Sequence, residues 1–225
     1  MTTSNKYTWS YSSLGLFQQC PKKYYHLRVV KDHKEPETEA LTYGKLVHEA
    51  AEFYIKEDRP IPPQFAFIQE PLDRLKKLGG EFLCEHKMGL TRDLEPCDFF
   101  APDVWWRGVA DLIILNGDKA HLIDYKTGKS SKYADTKQLE ILTLAMFKHF
   151  PELASVKAGL LFLVASDLVK VKYERGQEAQ PWVKWLNETK QLEAAYANDV
   201  WNARPNFSCK QYCAVTSCLH NGKNH

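Results

Sequence analysis

The sequence predicts an α/β fold: a mixed sheet flanked by helices. Three observations predict it. Two strand-like runs, Trp105 to Leu115 and Ala120 to Lys126, are joined by the turn residues Asn116, Gly117, Asp118 and Lys119. A helical segment, Ala134 to His149, is followed by the buried-strand run "VKAGLLFLVAS". The chain of 225 residues is 44% hydrophobic and 26% charged, as expected of one globular domain with a sizeable core.

In chain order, "YSSLGLFQQCPKKYYHLRVV" predicts a helix capped by Ser12 or Ser13 and interrupted at Pro21. In "PETEALTYGKLVHEAAEFYIKEDRP", Leu46, Val47, Ala50, Phe53 and Tyr54 fall near helical spacing, and Pro60, Pro62 and Pro63 end the helix. "PQFAFIQEPLDRLKKLGG" predicts another helix, closed by Gly79 and Gly80, and "EFLCEHKMGL" a strand. The hairpin, the Ala134–His149 helix and the apolar strand follow, then a long helix from Pro181 to Trp201 and a loop-like tail with three cysteines. The expected order is helices, three strands, helix, strand, helix.

Net charge is only +2 and the pI near 8.1, so a nucleic-acid site must be a local patch. The N-terminus lacks the basic region and long apolar run of a secretory signal. The longest apolar run, Ala158 to Ala165, is too short to span a bilayer. The expected location is cytoplasmic, with no membrane partner. Six cysteines there read as thiols or metal ligands rather than disulfides.

The hairpin carries the chemistry. With Gly117-Asp118 as a two-residue loop, facing residues sum to 235 and Asp111 faces Asp124. Asp124 and Lys126 share a face. Facing Cβ atoms lie about 4.5–5.5 Å apart, where two carboxylates repel unless they share a cation. Magnesium or manganese takes oxygen ligands of this kind. Lys126 could then steady developing negative charge or orient water. On spacing alone, a plain Asp111–Lys126 ion pair on a solvated face fits at least as well. The apolar runs "VADLIIL" and "HLIDY" tip the balance, because charges in buried strands need partners.

"GVAD", "IDYKTGK" and "QLEILTLA" together resemble the RecB-like branch of the PD-(D/E)XK nuclease superfamily. The pattern there is G-x-x-D, an acid-x-Lys, and a helix with Q-x-x-x-Y. Gly108 and Asp111 match the first part, Asp124 and Lys126 the second, and Gln138 opens the third. Leu142 stands where the family has tyrosine. "YSSLGLFQQCPKKYYHLRV" is similar to the family's amino-terminal segment, and "YGKLVHEAAE" to its G-x-x-x-H motif, at Gly44 and His48. The resemblance implies a restriction-endonuclease-like fold and metal-dependent hydrolysis of DNA, most simply by an exonuclease acting on ends or single strands. It implies Asp111, Asp124 and His48 as metal ligands, with the Tyr125 carbonyl as a further candidate, and Lys126 and Gln138 as catalytic partners.

On an amphipathic helix His48 would by itself read as an ordinary histidine. Glu85 reads equally as a metal-side acid or an edge charge. Gln138 could bond a phosphate or Lys126. Lys129, Lys132 and Lys137 are candidate backbone contacts or a solvated face.

Cys209, Cys213 and Cys218 lie within ten residues of the tail. The resemblance supplies a fourth ligand, Cys20, and a four-iron–four-sulfur cluster joining residues 1–40 and 202–225 around a 41–201 core, all within one nuclease domain of residues 1–225. Here three and four residues separate the tail cysteines, unlike the family's usual two and five. Zinc, with His220 as an alternative ligand, is the rival. Cys84 reads as strand packing, and Cys97 has no assigned role. Relatives with such segments include CRISPR-adaptation nucleases, repair helicase–nuclease subunits and phage exonucleases. A helicase or a recombination or adaptation protein is therefore an expected partner, in a host cytoplasm if the chain is phage-encoded. The rival reading is a non-catalytic DNA-binding or assembly module, or a nuclease acting on RNA.

Overall fold

Six strands form one mixed sheet in the computed structural model, which describes residues 7–224; residues 1–6 and 225 of the expected single domain lie outside it. The strands are β1 (Glu81–Leu90), β2 (Pro96–Cys97), β3 (Trp106–Asn116), β4 (Lys119–Lys126), β5 (Ser155–Phe162) and β6 (Asp167–Glu174), in the order β2-β1-β3-β4-β5-β6. Of these six, only β4 and β5 pair in parallel; Trp9 adds an isolated parallel bridge to Trp106. The helix α5 (Lys137–His149) supplies the crossover that a parallel pair needs.

The β3–β4 hairpin has the expected register. Asn116 pairs with Lys119 and Leu112 with Ile123, and Gly117 takes the positive φ of the two-residue turn. One expected rung is replaced. The ladder stops at Leu112–Ile123, so Asp111 and Asp124 are not a paired rung. Instead the Asp111 carboxylate accepts the Tyr125 N–H at 2.7 Å.

Two strands were not expected. β2 is a two-residue edge, and β6 is a full strand paired antiparallel with β5. Val169, Val171 and Tyr173 alternate with Lys170, Lys172 and Glu174 along β6, the period of a half-exposed edge strand.

Helices cover both faces. One core joins α1 (Tyr11–Gln19), α5 and α6 (Ala179–Asn198) to the sheet through residues such as Leu14, Ile113, Leu122, Leu139 and Trp185. The other packs α3 (Glu39–Glu57), a 3-10 turn (Pro63–Ile68) and α4 (Gln69–Lys76) on Leu112, Ile114, Ile123 and Tyr125.

Ser10, not Ser12 or Ser13, caps α1. It forms a reciprocal capping box with Ser13. Pro21 starts α2 (Pro21–Tyr24) rather than merely breaking α1, because its missing N–H is no loss at a first helical position. A π-helical turn, Tyr25–Val29, follows. α3 is capped by Thr38 and stops at Asp58 in the left-handed region, before the prolines. A last short helix, α7 (Ser208–Gln211), lies within the cysteine tail.

Trp9 ties the N-terminal segment to the sheet. Its N–H donates to Trp105 O and its carbonyl accepts from Arg107, both at 3.0 Å. Its fully buried ring packs on Trp105, Trp106 and Trp185. Trp9→Ala should cost about 3–5 kcal/mol of stability, read as a lowered urea midpoint with an unchanged slope.

Candidate metal and active site

The strand alternation breaks at one point on two neighbouring strands. On β1, Phe82 and Cys84 belong to the α3-side core, whereas Met88 and Leu90, of the same parity, belong to the α5-side core. On β3, Leu112 and Ile114 face the α3 side and Ala110 the α5 side. The break falls at Glu85, whose φ is +48°, and at Asp111 opposite it, between the rungs Cys84–Leu112 and His86–Ala110. Such irregularities re-aim side chains. Here they gather charge at the seam.

His48, Glu85 and Asp111 converge there, with one ligand atom from each within 4.8 Å of the others. His48 comes from α3, and its Nδ1 lies 3.6 Å from Asp111 Oδ2. Gly44, one turn earlier, faces the end of β4: a Cβ there would make an ordinary contact with Thr127 Oγ1, at 3.4 Å. These residues line an open cleft of about 520 Å³ that also holds Glu49 and Glu52.

Asp124 and Lys126 complete the other side. Asp124 is only 3% exposed, and its Oδ2 lies 2.6 Å from Lys126 Nζ as an ion pair without a well-aligned hydrogen bond. Lys126 Nζ also donates to Gln138 Oε1 on α5 at 3.2 Å, one of the two partners open to Gln138 from sequence. Asp124 is not within the compact His48–Glu85–Asp111 group. Glu85, left ambiguous by the sequence, is within it.

Electrostatics shows strain among the acids. Burial, then the charge of Asp111, pushes the Asp124 carboxyl up to about 6, although Lys126 pulls it back. Burial, Asp111 and Glu52 raise Glu85. Burial pulls His48 down, but Asp111, with Asp124 and Glu85 behind it, reverses that and raises it. Each group is displaced toward its protonated form, Asp124 and Glu85 by burial first and by neighbouring carboxylates second, His48 by the carboxylates against burial; a divalent cation would relieve the part due to charge. A neutral imidazole and two carboxylates are an appropriate donor set for one.

The remaining expected residues are placed as follows. The Tyr125 ring is buried in the α3-side core, edge-on to His48, and its N–H is taken by Asp111. Lys129, Lys132 and Lys137 are exposed. Leu142, at the family's tyrosine position, is buried against Gly108, where a Cβ would meet its Cδ2 at 3.0 Å and the Trp106 ring at 2.7 Å. That crowding is why Gly108 precedes Asp111. Cys84 packs in the α3-side core, and burial pushes its thiol up to about 11.

Cys20, Cys209, Cys213, Cys218 and His220 all line one small cavity. No three of these ligand atoms lie within 4.8 Å of one another among the described residues. All are unpaired thiols. Backbone N–H groups of Arg204 and Asn206 donate to the Cys20 and Cys209 sulfurs, each at 3.4 Å. A second convergent group, His26, Asp32 and His33, is tied by imidazole–carboxylate contacts of 2.9–3.1 Å.

The sequence profile of the PD-(D/E)XK nuclease superfamily matches residues 8–81 and 67–218. No curated protein sequence matches the chain. Among solved structures, the crystal structure of a protein named "Putative exonuclease" from Eubacterium rectale superposes with a TM-score of 0.56. It is 11% identical, and the alignment covers 97% of this chain and 94% of that one. The structure of SSO0001 aligns over 97% of this chain and 89% of that one, at 14% identity and a TM-score of 0.49. No helix among the described residues is long and apolar enough to cross a membrane.

Asp111→Asn and Glu85→Gln should each weaken Mn²⁺ binding by about tenfold or more, since affinity at oxygen sites follows ligand charge. Calorimetric titration of the metal-free protein reads this without any substrate.

Proposed function

Because the chain belongs to the PD-(D/E)XK nuclease superfamily, we propose that it is a divalent-metal-dependent deoxyribonuclease of the RecB-like branch, acting as an exonuclease on DNA ends or single strands. The observation that carries this is the seam between β1, β3 and β4. There His48, Glu85 and Asp111 converge beside the buried Asp124–Lys126 pair. The exonuclease reading draws on the Eubacterium rectale protein only as a structural neighbour so named.

His48, Glu85 and Asp111 hold the cation, with Asp124 contributing charge from the opposite side. When bound, the cation polarises phosphoryl oxygens and lowers the pKa of water. The imidazole in the set suits manganese better than magnesium, which prefers oxygen donors. Asp124 and Gln138 fix the Lys126 ammonium between them. Held there, it can neutralise charge developing on a phosphodiester or orient the attacking water without reorganising. Tyr125 N–H fixes Asp111, so that carboxylate is positioned before any ligand arrives. Exposed Lys129, Lys132 and Lys137 lie just beyond this motif in the chain and suit the phosphate backbone. A helicase, recombination or adaptation protein remains the proposed partner.

We further propose that the four cysteines hold a four-iron–four-sulfur cluster, tying residues 1–40 to 202–225. Their shared cavity and the N–H donors to two sulfurs support a thiolate-bound group. One zinc at about 2.3 Å from four thiolates would draw the sulfurs to roughly 3.8 Å of one another. Metal analysis distinguishes the two.

With Mn²⁺ or Mg²⁺ and end-labelled single- and double-stranded DNA, the wild-type protein should release product from ends. Asp124→Ala and Lys126→Ala should each lower the rate by about 10²–10³-fold. Equal activity in both variants would assign the cleavage to another site. Iron, sulfide and zinc analysis of the same preparation should find iron and sulfide, and Cys20→Ser should lose them.

A further inference from the structure

Phe100 is 75% exposed, yet it is not an isolated apolar side chain. Its ring meets Phe99 edge-on at 4.9 Å. The Arg107 guanidinium lies 5.1 Å from the Phe99 centroid and 5.9 Å from that of Phe100, and Lys87 Nζ lies 5.8 Å from both. The two cations come from neighbouring strands, β1 and β3, whose rungs include Lys87–Val109 and Gly89–Arg107. The aromatic pair sits in a fixed turn, closed by Ala101 N–H to Asp98 O at 3.0 Å. Phe99 and Arg107 then line a cleft of about 320 Å³ together with Ser10, Ser12, Gly108 and Gln138. Gln138 is the residue that holds Lys126. Phe99, which packs against Phe100, and Gln138, which accepts from Lys126, therefore line the same cleft.

Aromatic rings interleaved with cations, leading along a groove, are what a single strand needs: a face for each unstacked base and positive charge for its phosphates. A base within a duplex offers no free face. The cations also separate this patch from an ordinary apolar protein contact, because they call for an anionic ligand. We propose that Phe100, backed by Phe99, is a stacking platform for a nucleobase of single-stranded DNA, and that Arg107 and Lys87 hold the strand's phosphates as it enters the site from the Gln138 side. This rests on the nuclease reading and specifies its substrate as an unpaired strand.

The test is fluorescence-anisotropy binding of a labelled oligothymidylate and of a blunt duplex of matched length, with no divalent ion added. Phe100→Ala and Phe100→Leu should weaken single-strand binding by about tenfold or more and leave duplex binding unchanged, whereas Phe100→Trp should retain single-strand affinity. Phe100 is exposed, so these variants keep the fold, which circular dichroism checks. Moving a single abasic residue along the oligonucleotide should find one position that costs the wild type the same factor and costs Phe100→Ala nothing further. Wild-type affinity in Phe100→Ala would overturn the platform and assign the ring to a protein contact. Equal losses on single strand and duplex would also overturn it. Because no cleavage is needed, a protein that binds in this way but never cleaves DNA would defeat the nuclease reading and leave the platform standing. Cleavage with no dependence on Phe100 would do the reverse.

Discussion

Three carboxylates, those of Glu85, Asp111 and Asp124, are brought to one seam of the sheet, and the Lys126 ammonium beside Asp124 is too little to balance them. The rest of the site follows from how the fold tolerates that repulsion. A continuous ladder would set Asp111 and Asp124 as one rung. The ladder ends one residue short, and the Asp111 carboxylate takes the Tyr125 N–H that the lost rung would have left unpaired. A backbone donor is thereby satisfied by the same carboxylate that the proposed cation would use. The left-handed Glu85 makes the matching break on β1, so both strands change faces together and the flanking rungs keep their register.

Two cores hold this irregularity in place. Leu112, Ile114, Ile123 and Tyr125 are locked under α3 and α4, while Ile113 and Leu122 are locked under α5 and α6. The helices that seal these cores also deliver the polar partners, His48 from α3 and Gln138 from α5. Remote segments are coupled in a similar way. Tyr24, Tyr196 and Trp201 pack as an aromatic cluster, with the two tyrosine hydroxyls 3.1 Å apart, and this brings Cys20 against the backbone of Arg204. Aromatic packing and hydrogen bonds such as Asn206 to Gln19 and Lys22 to Asn202 therefore hold the segment around Cys20 against the tail, and a group bound by the cysteines would close a loop whose entropy is already largely spent.

Much of this was legible in the sequence because its signals are local. The hairpin register follows from turn chemistry and a period of two, and Gly117 sits where the turn needs it. The four cysteines that share a cavity are those grouped by motif. The rest depends on geometry that no short window contains. Glu85 looks like any strand acid, since nothing in "FLCEHKMGL" announces a left-handed residue. β6 carries a strand period, but Asp167, Lys170, Lys172 and Glu174 resemble a solvated loop. Phe99 and Phe100 fall in a turn, and their meaning comes from Lys87 and Arg107 on two other strands. The cap of α1 shows the same limit on a smaller scale: four serines lie between positions 4 and 13, and only backbone geometry selects Ser10.

The proposed cation would meet charge that the fold itself assembles. Protein groups alone supply the scaffold's contacts: both cores are closed, Asp111 is held by Tyr125, and Lys126 is held by Asp124 and Gln138. What remains unbalanced is charge, visible in Asp124 driven up to about 6 by burial and by Asp111. A cation that binds the folded chain and not the unfolded one adds stability by mass action, about 2.7 kcal/mol at a hundredfold excess over its dissociation constant. Here part of that gain is the release of repulsion the fold already bears. The same repulsion keeps the site from closing on itself as a self-satisfied network of ion pairs. Preorganised donors around an unbalanced charge are what electrostatic catalysis requires.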